Sequence, residues 1–346
     1  MLITVDFEHT ENNPDRYIIV DVRSPSEYAE STITGAVNIP LFCDEERARI
    51  GTLYKQESKA SAVKAGVEYV SGSLPQIYDR FASLAVKQKK FLIFCARGGM
   101  RSEAVGSFLA SVGFPVIKLG QGYKGYRQHI VRHLPELINK ISTVTLYGKT
   151  GAGKTLILHE IKKLGYDVLD LEGCAGHRGS LLGAIGLPQK RSQKRFETLL
   201  YDSLKSAKSD IIFTEGESKR IGNIYLPGLL MEKMNTGRKL LIEADIATRK
   251  GIIKQEYIGA DFDKTSVIPV LEKLTRYVGK ERIANYKTLI ETESYDTVIE
   301  ELMTKYYDIA YNTPEEEFER SFFNFSPARA ASEIVEYIYS GYNYIK

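Results

Sequence analysis

The chain has 346 residues, 43% hydrophobic and 26% charged, with a net charge of +3. That length exceeds a typical single core, so two domains are expected, and the ordinary globular balance excludes a disordered chain. The small net charge neither demands nor excludes a nucleic-acid partner, which depends on a local patch.

Residues 17–22 form a β-branched run between turn formers and read as a buried strand. Residues 91–94 and 116–119 repeat the pattern, with helices expected over 74–86 and 102–112. Strands alternating with helices imply a parallel sheet with right-handed crossovers. A new strand over 143–147 opens the second half, followed by strands over 166–171, 210–214 and 239–244. From Val267 onward the pattern is helical, over 271–284, 296–308 and a final helix around 328–339. Pro135 reads as the start of a short helical connector, which divides the chain into domains 1–138 and 139–346. No apolar run approaches the ~18–20 residues of a membrane span. Met1–Thr10 carries Asp6 and Glu8 where a signal peptide has a basic start. Cys43, Cys95 and Cys174 are an odd, sparse set with no zinc spacing. These features point to a soluble protein of a reducing, cytoplasmic compartment.

The run Cys95-Ala-Arg-Gly-Gly-Met-Arg-Ser102 follows an apolar strand and precedes a helix. A strand-to-helix loop gathers backbone N–H groups around one point and favours an anion there. A thiol in that cradle is held as a nucleophilic thiolate. Gly98 and Gly99 permit the curl, and Arg97 and Arg101 add positive charge, so Cys95, Arg97 and Arg101 are the expected catalytic set. Cys43 and Cys174 lack such a setting and read as structural.

Gly148-Lys-Thr-Gly-Ala-Gly-Lys-Thr155 fits the P-loop pattern, again between a strand and a helix. Gly148, Gly151 and Gly153 should present backbone N–H groups to phosphate oxygens, Lys154 should reach the terminal phosphates, and the Thr155 hydroxyl suits Mg²⁺. Acidic partners for that metal are expected at Glu215 or Glu217 after the strand ending at Thr214, or at Asp170 or Glu172. His177 and Arg178 lie in a polar Gly-containing loop that suits substrate contact. Lys190, Arg191, Lys194 and Arg195 form a basic run beside Phe196 that could meet a phosphate backbone.

Asp21-Val-Arg-Ser-Pro-Ser-Glu-Tyr28, then Ile33-Thr-Gly-Ala-Val-Asn-Ile-Pro40, then the Cys95 loop resemble the three rhodanese signatures in order. In that family the loop cysteine carries sulfur or selenium as a persulfide-type anion. The loop counts seven residues from Cys95 to Arg101, whereas the commonest rhodanese loop has six. Seven is the Cys-x5-Arg spacing of dual-specificity and tyrosine phosphatases and leaves room for a phosphate-sized anion. A Cys-dependent phosphatase or sulfurtransferase with an ATP/GTP-binding P-loop domain is therefore the alternative reading.

The two halves together resemble the tRNA 2-selenouridine synthase family, on the Cys95 loop, the P-loop, Asp170-Leu-Glu-Gly173, His177-Arg-Gly-Ser180, Gln193-Lys194, Phe196-Glu197 and residues 215–221. The resemblance implies a rhodanese-like domain followed by a P-loop NTPase-like domain with a helical C-terminal segment. It implies conversion of wobble 2-thiouridine in tRNA to 2-selenouridine through an S-geranylated intermediate, with geranyl diphosphate and selenophosphate as co-substrates. It also implies selenophosphate synthetase as a partner. Whether the P-loop holds the prenyl diphosphate or a nucleotide stays open on sequence.

Overall fold

The computed structural model describes residues 2–180, 182–187, 191–258, 262–310 and 318–340. Contacts divide the chain into two compact units, Met1–Leu134 and Pro135–Lys346. The division falls inside one helix, Gly122–Lys140. Pro135 therefore starts no separate connector. The ring costs one backbone hydrogen bond, but Ile130, Leu134 and Ile138 continue a buried stripe at four-residue spacing on either side of it.

In the first unit the strands are β1 (Thr4–Val5), β2 (Tyr17–Asp21), β3 (Val37–Asn38), β4 (Lys90–Phe94) and β5 (Val116–Leu119). They pair in parallel in the order β1-β5-β4-β2-β3. Phe91, Leu92, Ile93 and Phe94 of β4 are all fully buried, as an apolar run must be in a parallel sheet covered on both faces. Val20, Ile39, Phe81 and Leu109 complete the core. Chain order reverses between β2 and β4, so their C-terminal ends open a crevice, the usual ligand position in such sheets. The Cys95 loop leaves β4 there. The helix expected over 74–86 is the end of a longer one, Lys59–Leu84; its Ala- and Ser-rich first half and internal Pro75 hide the periodicity.

The second unit contains β6 (Ser142–Tyr147), β7 (Val168–Leu169), β8 (Ile211–Glu215), a β9–β10 hairpin (Arg220–Ile221, Ile224–Tyr225), β11 (Arg238–Glu243) and β12 (Arg320–Phe323). The main sheet is parallel, in the order β12-β11-β6-β8-β7. Its order reverses beside β6, and the P-loop follows β6. Three sequence expectations are corrected. The strand over 166–171 stops at Leu169, because Asp170 caps a new helix, Leu171–Ala175, by accepting from the Gly173 N–H. The helix over 271–284 is broken into Lys264–Glu272, Thr275–Val278 and Lys280–Glu291, with Gly279 at φ +90°. The largely helical C-terminal region also holds β12, a four-residue strand too short to show alternation. Leu271, Leu274, Tyr286, Ile290 and Leu302 give this helical region its own core. No helix among the described residues is long and apolar enough to cross a membrane.

Candidate functional site

The first centre is the thiol of Cys95, 3% exposed at the end of β4. Its Sγ lies 3.3 Å from the Ser102 Oγ. Burial works against ionisation, but the Ser102 hydroxyl, the Ser102 and Arg97 backbone N–H groups and the Arg101 charge outweigh it and hold the thiol below its ordinary range. The loop is clasped from outside. The N–H groups of Tyr123 and Lys124, at the start of the helix Gly122–Lys140, donate to the carbonyls of Cys95 and Ala96 at 2.8 and 2.9 Å. With those carbonyls turned away, N–H groups are left to line the cradle. Gly122 makes the clasp possible: φ is +57°, and a Cβ there would run into the Cys95 carbonyl.

The two loop arginines do different things. Arg101 is half-buried and held by Glu27, at 2.6 and 3.2 Å. Arg97 points its side chain to solvent and contributes its backbone N–H. The sequence reading missed Glu27 and Ser102 as members of the centre, although both lie in quoted motifs. Arg23 is buried, paired with Asp21 at 2.6 Å and stacked 4.0 Å over the Tyr123 ring, a brace for the crevice wall.

The second centre is the P-loop. Gly148, Gly151 and Gly153 all have positive φ. Gly153 is forced, because a Cβ there would strike the Asn324 side chain. Asn324 is fully buried, and its amide donates to the Ala152 carbonyl at 2.9 Å. On the other side Arg249 donates to the Thr150 carbonyl at 2.9 Å and is locked by Asp308 at 2.6 and 3.0 Å. Neither Asn324 nor Arg249 was legible as part of the site, since their role comes from chain segments about 100 or more residues away. The Lys154 ammonium rests on the Gly148 carbonyl at 2.9 Å.

Carboxylates crowd this lysine. The Thr155 hydroxyl donates to Glu172 at 3.0 Å, and the Glu172 N–H donates to Glu215 at 2.7 Å. Glu215 is fully buried and its Oε2 has no hydrogen-bond partner. Burial, then the Asp170 and Glu172 charges, push it well above the ordinary carboxylate range. Burial and the Glu172 charge raise Glu217 to about 8. Glu172 itself is raised, chiefly by burial. Asp170 spends one oxygen on its helix cap and the other on His159 at 3.2 Å. Thus Glu172 stands beside Thr155, with Glu215 behind it and Asp170 to one side. Among the described residues no set of three or more metal-ligating side chains forms a cage. The Thr155 hydroxyl, Glu172 and the orphaned Glu215 oxygen nevertheless suit a cation that takes its other ligands from phosphate and water.

Beside the loop lies a nearly wholly apolar cavity of about 80 Å³, lined by Thr150 together with Tyr257, Val267, Leu271, Val298, Leu302 and Met303. Arg178 is a brace, donating to the carbonyls of Ile185 and Glu256 and stacking 4.7 Å over Tyr257. His177 and Arg191 line a second cavity of mixed polar and apolar lining. Arg191 also donates to the carbonyls of Gly173 and Cys174. Lys194 is exposed and Arg195 half-buried on the helix Gln193–Lys205, and Phe196 is fully buried, so the aromatic of the basic run is core. Lys190 lies outside the described residues. Burial, and then nearby acidic charges, push the Cys174 thiol up to about 12, leaving it inert.

An activated thiol in a seven-residue loop and a P-loop backed by acids define a two-domain group-transfer enzyme. Residues 8–129 match the model of the rhodanese-like domain, and residues 141–341 match that of the tRNA 2-selenouridine synthase AAA domain. The tRNA 2-selenouridine synthase of Hydrogenovibrio crunogenus is 32% identical, over 85% of this chain and 88% of its own. That of Nitrosomonas europaea is 34% identical, over 69% of this chain and 63% of its own. Among solved structures, the N-terminal domain of a Clostridium difficile 630 protein, described as ATP/GTP binding, is 40% identical over 38% of this chain and 99% of its own, with a TM-score of 0.35. The chain belongs to the tRNA 2-selenouridine synthase family.

Proposed function

We propose that the second unit binds geranyl diphosphate and transfers its chain to the sulfur of wobble 2-thiouridine in tRNA, and that Cys95 releases selenium from selenophosphate to replace that sulfur. As a family member, the enzyme makes 2-selenouridine in tRNA and draws on selenophosphate. The observation that carries the prenyl reading is the apolar cavity that Thr150 of the P-loop helps to line. A nucleotide base would ask that wall for hydrogen-bond donors and acceptors, and it offers few beyond Ser180 and tyrosine hydroxyls. At about 80 Å³ the cavity is smaller than the roughly 150 Å³ that admits benzene, so a ten-carbon chain enters only as flexible side chains such as Met303 yield.

In the first step the thiocarbonyl sulfur attacks C1 of the prenyl chain. The C1–O bond breaks and diphosphate leaves with the electron pair, while N3 of the base loses its proton to solvent. Lys154 and the P-loop N–H groups meet the developing charge. Mg²⁺, held by Thr155 and Glu172, would neutralise diphosphate further. Alkylation turns a poor leaving group into a good one. In the second step the Cys95 thiolate attacks phosphorus in selenophosphate. The P–Se bond breaks, selenium departs with the pair as hydrogen selenide, and water hydrolyses the phosphocysteine to phosphate. Arg101 and the cradle N–H groups hold the phosphoryl oxygens, the use to which a seven-residue loop is suited. Hydrogen selenide adds at C2, geranylthiolate leaves, and the selenium-borne proton passes to N3. No oxidant is required.

The test is nucleoside analysis after incubating thiolated tRNA with geranyl diphosphate and selenophosphate. The parent enzyme yields 2-selenouridine, Cys95→Ala stops at S-geranyl-2-thiouridine, and Lys154→Ala leaves 2-thiouridine, slowed by ~10²-fold or more. Full selenation by Cys95→Ala would remove the thiol from the chemistry.

A further inference from the structure

A second cavity, of about 460 Å³ and with a mixed polar and apolar lining, contains His177 and is not used in the steps above. It lies wholly in the second unit, walled by His177, Arg191, Arg220, Asn223, Lys273 and Tyr306 among others. Its size falls within the range of small-ligand sites. The His177 ring is packed against the backbone of Gly222 in the β9–β10 turn, where a Cβ would come within 2.7 Å of it. Arg220 is steered along the rim by the Gly222 carbonyl at 2.6 Å and the Asn223 side chain at 3.0 Å.

Ser180 lines both cavities. One is the apolar cavity that Thr150 of the P-loop also lines. The other is the mixed cavity, whose lining includes the cationic side chains of Arg191, Arg220 and Lys273. Gly179, beside Ser180, backs directly onto the Glu217 carboxyl, 2.8 Å from where its Cβ would stand. A reaction joining an apolar chain to a base requires neighbouring places for the two, and Ser180 is common to both cavities.

We propose that this mixed cavity, with apolar walls for a base and cationic side chains for phosphates, receives the target nucleoside, turned out of the RNA stack, with its 2-thio group facing Ser180. An enzyme cannot reach the 2-position of a stacked base and must extrude it, at a cost of a few kcal/mol. Single-stranded loops offer such bases, which proteins hold by their polar edges and by ring contact. Here His177 and Tyr306 border the base, while Arg220, Lys273 and Arg191 take the flanking phosphates. The proposal rests on the prenyl-transfer reading of the P-loop but is tested apart from it.

The full-length protein is mixed with an anticodon stem-loop RNA carrying 4-thiouridine at the wobble position. After irradiation with long-wave ultraviolet light, cross-linked peptides are mapped by mass spectrometry. Cross-links should fall on segments containing His177, Asn223 or Tyr306. Asn223→Trp, which fills the mouth from an exposed turn, and Lys273→Glu should each cut cross-linking ~10-fold or more. Neither residue lines the apolar cavity, so an unchanged affinity for geranyl diphosphate shows that each variant is folded. Cross-links confined to other surfaces, or undiminished in both variants, overturn the proposal. If the parent protein fails to bind geranyl diphosphate while the cross-link map holds, the prenyl reading falls and the nucleoside cavity stands.

Discussion

Replacing Glu217 by Gln should change how the stability of the second unit depends on pH. Desolvation of the half-buried Glu217 carboxyl, and the Glu172 charge it faces, raise it to about 8. In the unfolded chain it returns to its model value of 4.5. The folded state therefore binds the proton more tightly. Its stabilising contribution is full below pH 4.5 and is lost as pH rises through 8. At pH 7 the charged form would already be about 3 kcal/mol out of balance. Glu217→Gln keeps the volume and removes the titration. In a unit of this size each kcal/mol moves Tm by ~2–4 °C. Scanning calorimetry between pH 5 and pH 7 should thus show the parent melting point falling roughly 5–10 °C further than that of the variant. The chain has no Trp, so calorimetry or circular dichroism is the practical readout. Parallel pH profiles for the two proteins would refute the crowded-carboxylate account.

Other perturbations probe the two centres separately. Ser102→Ala removes the hydroxyl that lowers the Cys95 thiol, so the rate of alkylation by iodoacetamide should reach its midpoint at a higher pH than in the parent. Gly122→Ala places a side chain at φ +57° against the Cys95 carbonyl; it should destabilise the first unit by about 1–3 kcal/mol in denaturant titration and slow thiol alkylation. Val298→Trp fills the apolar cavity; it should weaken geranyl diphosphate binding ~10-fold or more, about 1.4 kcal/mol, with inorganic diphosphate binding unchanged.

Both chemical loops were legible because each is a short contiguous run whose residue types the backbone geometry dictates. The strands flanking them, Lys90–Phe94 and Ser142–Tyr147, were equally plain, since buried parallel strands read as unbroken apolar runs. What surrounds the loops was not legible. Glu27 meets Arg101 across 74 residues, and Asn324 meets Ala152 across 172. Such pairings depend on sheet order, which local pattern does not encode. The acid beside Thr155 turned out to be Glu172, because Asp170 is committed to a helix cap and Glu215 stands one carboxylate further back. Arg178 reads in sequence like a substrate contact and in space is a brace for the loop. The apolar cavity comes from helices far apart in the chain, with nothing in any one segment to announce it.

The proposed occupant of the P-loop is a prenyl diphosphate. Calorimetric titration of the full-length protein with geranyl diphosphate and, separately, with ATP, each with Mg²⁺, tests it most directly. Saturable binding of geranyl diphosphate, lost in Lys154→Ala and weakened in Val298→Trp, with ATP binding weaker by ~10-fold or more, is the predicted result. Tight ATP binding with no measurable affinity for geranyl diphosphate would contradict it.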